Sequence, residues 1–258
     1  MSKSIFDPDE FLKEPSLPSS ADKLFTSQED WWNNACLNWC RDGWSLYAVG
    51  YKDAGDILAR EVENRNSGQD TLVYPILFLY RQYLELEIKN LIRTARRLQD
   101  LGGDLPKHHR LSELWSECYK LLTEISPHDS VSELKAIGRL ISEFSSVDPT
   151  SMAFRYPENK EGDPSLPGIR LINLRNVREV IAKISIILSG ASAQLGEYLQ
   201  HKLEMESTHA TGSGLAKPHS PPKLNPCHAP CESRTRRRYV SRHLARRRSG
   251  GHLSSRRR

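Results

Sequence analysis

Three charged side chains stand one helical turn apart inside an apolar stretch of the sequence. Residues 74–98 read YPILFLYRQYLELEIKNLIRTARRL, in which Arg81, Glu85 and Lys89 follow one another at four-residue intervals. The apolar side chains within about 60° of Arg81 around a helix are Tyr74, Leu77, Leu84, Ile88 and Ile92. Arg81 therefore cannot simply point at solvent. Because burying a lone guanidinium is costly, we expect a carboxylate, backbone carbonyls or a bound anion to pair with it.

A long loop rich in proline and glycine carries Arg155 and Tyr156 in the segment FRYP. Loops of this length are commonly functional or disordered. We expect this loop to fold back over the helix, with Arg155 paired to Glu85 or Glu87. Tyr156 would then close the pocket, and His109, which precedes the next helical pattern, would stand at its rim.

This predicted cluster has two interpretations. Its charges either pin the long loop to the rest of the protein or form a ligand-binding site. The residues predicted to bind a ligand are Arg81, Glu85, Lys89, His109, Arg155 and Tyr156. His109 and Arg155 are the candidates for catalysis if the fold brings them together, because general acid/base work needs groups held by a rigid scaffold.

Helical periodicity predicts the elements that must hold these residues. Ser27, with Asp30 three residues later, offers an N-cap, and apolar residues at helical spacing continue to Arg65. We expect one long helix here, or two joined near Gly43. The residues expected on its buried face are Trp32, Ala35, Cys36, Trp39, Tyr47, Tyr51, Ala54 and Leu58. Residues 72–99 form the second helix, which is apolar around most of its circumference and so is predicted to be central.

Three more helices are predicted after the second. The third covers residues 111–125, the fourth opens at a capping box that begins with Ser130, and the last runs from near Asn173 to about Leu203. The apolar stripe of the third helix is Leu111, Leu114, Trp115, Cys118, Leu121 and Leu122. No strand pattern appears with conviction. We therefore expect an all-α fold, an antiparallel up-and-down bundle of about five helices.

Charge divides the chain into a body and a tail. Of the 37 Lys and Arg residues, 13 lie from Ser207 onward, whereas only one of the 32 acidic residues, Glu232, lies there. We expect a mobile lead-in over residues 1–26, the bundle over 27–206, and a disordered Arg-rich tail over 207–258. The tail is either a genuine basic arm or the product of a frameshift or read-through.

Several classes of protein are disfavoured by the sequence. The N-terminus lacks the basic start and apolar run of a secretory signal, and charges interrupt the longest apolar stretch, which argues against a membrane span. The five cysteines form no disulfide pattern, so we expect a reducing cytoplasm. Cys227 and Cys231 lack the second pair that structural zinc needs, so we expect no metal and no cofactor.

Three segments resemble the HEPN (higher eukaryotes and prokaryotes nucleotide-binding) domain family. LYRQYLELEIKNLI resembles its helix with an Arg, Glu and Lys pattern, the segment from His109 to Trp115 resembles a His-x-Leu-x-x-Leu entry to the next helix, and FRYP resembles an RYP element before the last helix. The resemblance covers roughly residues 28–204. It is closest to uncharacterised bacterial members of the family, and it implies a helical bundle.

The resemblance also implies a range of functions. Many HEPN proteins are metal-independent RNases with Arg followed four to six residues later by His, a motif that the body lacks. Matches at Arg238 with His243 and at Arg247 with His252 lie in the tail, where dense arginine produces them by chance. We expect a binding module for a nucleotide or RNA in bacterial stress or phage defence. One alternative is an RNase with an atypical site formed by His109 and Arg155. The other is a structural bundle that forms a homodimer, with the tryptophan-rich first helix as the apolar interface.

Overall fold

A computed structural model describes residues 17–37, 43–127 and 131–212 of the protein. The helices in these ranges are α1 (Gly43–Arg65), α2 (Gln69–Leu98), α3 (Leu111–Ile125), α4 (Val131–Val147) and α5 (Leu174–Gly212). These ranges contain no strand beyond an isolated bridge between Glu158 and Pro164. The prediction of an all-α bundle of about five helices is confirmed.

The central helix of the bundle is α2, as its apolar circumference predicted. It packs against α1, α3 and α5, and apolar side chains from all five helices form one core. The connection between α1 and α2 is short and reverses the chain through left-handed backbone at Asn66 and Gly68, which makes these helices antiparallel neighbours. A polar side chain on the inner faces of α2 is therefore enclosed by neighbouring helices.

The buried face of α1 is only partly the predicted one, since Tyr51 and Leu58 pack against the core but Tyr47 is 63% exposed. The residues that α1 buries are Ala48, Lys52, Gly55, Asp56, Ala59, Glu61 and Val62. A Cβ atom on Gly55 would lie only 2.8 Å from Cε1 of Tyr80, so α1 and α2 approach too closely for larger side chains. The buried charges are paired: Lys52 Nζ lies 2.9 Å from Asp56 Oδ2, and the Tyr80 hydroxyl donates to Asp56 Oδ1 at 2.8 Å.

The helix predicted before Gly43 is wrong over Ser27–Leu37, the part of that segment that the structure describes. The chain divides into two compact units; one holds the five helices, and the described part of the other is Ser27–Leu37, with a short 3-10 turn at Trp31–Asn33. Both tryptophans of the turn are exposed. Asn34 bonds the backbone N–H and carbonyl of Gln28, and such side-chain bonds to the backbone compete with helix formation.

Helices α3 to α5 agree with their predicted periodicity. All six residues of the predicted stripe on α3 are buried, as are Leu134, Ile137 and Ile141 of α4. The predicted cap at Ser130 lies outside the described residues. Helix α5 continues to Gly212, beyond the expected end near Leu203. Residues 1–16 of the predicted lead-in and 213–258 of the predicted tail also lie outside the described ranges.

The long segment between α4 and α5 is fastened to the bundle by an aromatic contact. Phe154 is buried, and its ring meets that of Phe144 edge-on at 6.0 Å between centroids. Detaching the segment would expose the apolar ring of Phe154 to water, which is unfavourable, so this contact holds the segment on the bundle. Across the described ranges, none of the helices has the length and apolar character needed to cross a membrane.

Candidate functional site

The three charged residues of α2 form one buried cluster. Arg81 is fully buried and Glu85 is 2% exposed. The carboxylate of Glu85 lies between two cations of its own helix, with Arg81 Nη1 at 3.1 Å from Oε2 and Lys89 Nζ at 2.9 Å from Oε1. Residues four apart share a helix face, so the sequence spacing places all three groups together.

The segment that enters α3 completes this cluster. A guanidinium nitrogen of Arg81 donates to the backbone carbonyl of His109, and His109 Nδ1 lies 2.7 Å from Glu85 Oε1. The His109 side chain remains 60% exposed, so it stands at the rim as predicted. Since the carboxylate can only accept, Nδ1 carries a proton, and in the neutral ring Nε2 is the acceptor.

Burial and ion pairing shift the pKa values of the groups in this cluster in opposite directions. Burial lowers the pKa of Arg81, whereas the charges of Glu85 and Asp148 act to raise it. Burial by itself would raise the pKa of Glu85, but hydrogen bonds from Lys89 and His109 outweigh it and leave that pKa lowered. Glu85 is therefore ionised, and its negative charge makes the buried guanidinium tolerable.

Asp148, which follows α4, is a site residue that was not predicted from the sequence. It is 1% exposed, and its Oδ1 accepts the backbone N–H groups of Met152 at 2.8 Å and Ala153 at 3.1 Å. The same carboxylate supplies negative charge near Arg81. The sequence Asp-Pro-Thr-Ser is a typical turn start in which aspartate bonds to the following backbone, and this pattern could have identified it.

The predicted pairing of Arg155 with Glu85 or Glu87 is wrong. Arg155 Nε donates to the carbonyl of Ser151 at 2.7 Å, and its guanidinium carbon lies 5.8 Å from the ring centroid of Phe78. The reason is that Lys89, Arg81 and His109 already occupy the oxygens of Glu85. The stacking on Phe78, an α2 residue, nevertheless confirms that the loop folds back over this helix.

Tyr156 does not close a pocket, since it is 51% exposed and its ring lies beside the Arg155 guanidinium at 5.7 Å.

Glu87 lies on a different side of α2 from the charged cluster. It is 6% exposed, and within the described ranges no hydrogen bond or ion pair reaches its carboxylate. Burial raises the pKa of Glu87 to about 7. Its charge also acts on Cys118 of α3, which places it on the side of α2 that packs on that helix.

The outcome is a buried, internally paired cluster with two groups at its edge that can reach solvent. Arg81, Glu85 and Lys89 come together with His109, as predicted. Arg155 lies near enough to Arg81 for its charge to lower the pKa of that residue, but no carboxylate of the described residues pairs with Arg155. The solvent-facing chemistry consists of the His109 Nε2 atom and the unused donors of the Arg155 guanidinium.

Metal-ligating residues do not converge in the described part of the chain, where no group of three His, Cys, Asp or Glu side chains could hold an ion. The groups that the structure places at the site are cations, an imidazole and the buried carboxylates of Glu85 and Asp148.

Comparison with known proteins adds no relative: no protein-family model, no curated protein and no solved structure matches this chain. The resemblance to the HEPN family stays a prediction.

Proposed function

We propose that this protein is a HEPN-like helical module that binds a phosphate group of a nucleotide or of RNA at the edge formed by His109 and Arg155. One observation carries this proposal: the Arg155 guanidinium lies beside the cluster without a carboxylate partner among the described residues. A bacterial stress or phage-defence role in the cytoplasm is part of the same proposal and follows from the family resemblance alone.

The charges of the site favour an anion. Arg81, Lys89 and Arg155 contribute three positive charges, whereas Glu85 and Asp148 contribute two negative ones, so a bound phosphate would balance the excess. Arg155 uses Nε for the carbonyl of Ser151 and one terminal nitrogen for the sulfur of Met152. Its remaining N–H groups are free to donate to phosphate oxygens.

Fluorescence anisotropy of labelled RNA and of a labelled nucleotide, measured with the full chain, tests this proposal. Arg155→Ala should weaken binding at least about tenfold, since a charge-assisted hydrogen bond contributes roughly 1.5–3 kcal/mol. Arg139→Ala removes the same charge from an exposed position on α4 and should change affinity less than twofold. Equal effects of the two substitutions would contradict a site at Arg155, because nonspecific attraction responds to both alike.

The contact between His109 and Glu85 favours a second candidate, a metal-independent RNase. A buried carboxylate that holds Nδ1 fixes the imidazole and leaves Nε2 exposed, which is the arrangement of a positioned general acid or base. Incubation with labelled RNA in the presence of a chelator tests this. Cleavage that disappears in His109→Ala but persists in His108→Ala would favour the enzyme, and no cleavage at high protein concentration would exclude it.

Exposed apolar side chains on α1 favour a third candidate, homodimerisation through helices. Leu46, Val49 and Ile57 are each between 41% and 49% exposed. The expected tryptophan-rich helix does not provide this surface, since Trp31 and Trp32 lie in the 3-10 turn. Analytical ultracentrifugation tests the idea: Ile57→Lys should convert a dimer into a monomer, and a monomeric wild-type chain would exclude it.

A further inference from the structure

A second feature, separate from the charged cluster, is an apolar cavity of about 320 Å³ beneath the loop that joins α4 to α5. Its walls come from α2, α4, α5 and the loop itself, and they include Leu77, Leu84, Phe144, Phe154, Val177 and Ile181. This volume lies at the small end of the range for sites that bind small molecules. The cavity is therefore large enough for a compact ligand but too small for a folded segment of a partner.

The residues that line the cavity offer few groups that could form hydrogen bonds with water. Only Glu143 of α4 and Asn176 of α5 contribute polar side chains, and both are exposed, which places them toward solvent. A water molecule needs two or more polar partners to be held, so the apolar interior does not favour ordered water. Wall atoms that face empty space also lose dispersion contacts, and an apolar group entering the cavity would restore them.

Glu143 gives the cavity a definite charge preference. Within the described ranges, no hydrogen bond or ion pair engages its carboxylate, and Glu143 is the one charged residue among those that line the pocket. A ligand with a cationic head can pair with this carboxylate while its apolar part fills the interior. An anionic ligand of the same shape would be repelled.

We propose that this cavity is a binding site for a small amphipathic amine, whose alkyl or aryl part occupies the interior and whose ammonium group pairs with Glu143. The site is independent of phosphate binding at Arg155, and either proposal can hold without the other.

Isothermal titration calorimetry of the full chain with n-octylamine, n-hexylamine and n-octanoate tests the ligand class. Octylamine should bind saturably with one molecule per chain. Hexylamine should bind about fifteenfold more weakly, because two fewer methylene groups are buried. Octanoate should bind more weakly than octylamine. A lack of saturation, an affinity independent of chain length, or equal binding of octanoate would overturn the proposal.

Variants locate the site. Val177→Phe and Leu140→Phe each fill the cavity and should weaken octylamine binding at least tenfold, while circular dichroism checks that the helices remain. Glu143→Gln should weaken octylamine about threefold and leave n-octanol unchanged. Glu179→Gln removes the same charge from an exposed α5 position outside the lining and should have no effect. Unaltered octylamine binding in the folded filled variants would show that the amine binds elsewhere and would overturn the proposal.

Discussion

His109 Nδ1 lies 2.7 Å from Oε1 of Glu85, a carboxylate on α2 that is 2% exposed. The two residues are far apart in sequence, and their contact joins the entry of α3 to the interior of the bundle. Because Lys89 shares the same oxygen and Arg81 takes the other, the carboxylate is a common partner for three positively charged or proton-donating groups. The stability of the contact between α2 and the start of α3 therefore depends on the Glu85 side chain.

Replacing Glu85 by Gln should strongly destabilise the protein. The substitution keeps the size of the side chain but removes the ion-pair partner of the fully buried Arg81 guanidinium, and breaking a buried pair in this way typically costs about 3–5 kcal/mol. Glu113→Gln is the matched control, because Glu113 is half exposed in its pair with Arg110 and should contribute less than about 1 kcal/mol. Urea unfolding at pH 7 measures both, and similar losses would contradict the structural role of the cluster.

Glu87 should make stability depend on pH. Its folded pKa of about 7 lies above the ordinary value of 4.5, so the folded state binds more protons between these values. The contribution of this group to stability is complete below about pH 4.5 and is lost as pH rises to 7, by about 3 kcal/mol. Glu87→Gln should therefore gain stability relative to wild type by about that amount between pH 5 and 8 in urea unfolding.

The exposed Glu179→Gln variant provides the control for this pH series. It should run parallel to the wild-type curve, because Glu179 is in contact with solvent. A flat difference between wild type and Glu87→Gln over the same range would show that Glu87 ionises normally in the folded protein.

Two glycines of α1 should respond in opposite directions to alanine. A Cβ on Gly55 would lie 2.8 Å from the Tyr80 ring, whereas one on Gly50 would meet nothing within 4 Å. Gly55→Ala should therefore destabilise the protein by roughly 1–3 kcal/mol through overpacking. Gly50→Ala should stabilise it by roughly 0.5–1 kcal/mol through helix propensity. Thermal unfolding distinguishes them, and a shift of the same sign would contradict the close approach of α1 and α2.

Replacing Asp148 by Ala should loosen the loop between α4 and α5. The substitution removes the acceptor of the Met152 and Ala153 amides and a negative charge near Arg81, and we expect a loss of about 2–3 kcal/mol. Limited proteolysis should then cut the loop faster than in wild type. The exposed Asp163→Ala variant should match wild type in both assays, and resistance of Asp148→Ala to proteolysis would contradict its anchoring role.

Hydrophobic periodicity correctly predicted the helices whose buried face consists of apolar side chains. The stripe of α3, from Leu111 to Leu122, is buried as expected because a repeat of three and four residues records one hydrophobic face. On α1 the same reasoning was only partly right, because Leu58 packs against the core but Gly55 and Asp56 are also buried, through close packing and pairing with Tyr80. It failed over Ser27–Leu37, where the Asn34 side chain bonds to the backbone in place of a helical turn.

The cluster itself was predictable in part. Arg81, Glu85 and Lys89 are neighbours on one helix, so their spacing alone predicts their contact. The partner of Arg155 was not predictable in this way, because it depends on how many groups already bond to Glu85 once α3 is in place. The spacing of residues within one helix does not show which hydrogen-bond acceptors are already occupied by residues from other parts of the chain.

The short separation between Arg81 and Glu85 also bears on the order of assembly. Their ion pair needs only one turn of α2, whereas His109 lies 24 residues beyond Glu85 along the chain. A transient α2 helix can thus form this pair before α3 arrives, and local contacts of this kind form fastest. The guanidinium then enters the interior already matched to a carboxylate, and dehydration of the pair accompanies the docking of α3. We expect this docking step, rather than formation of α2, to set the refolding rate.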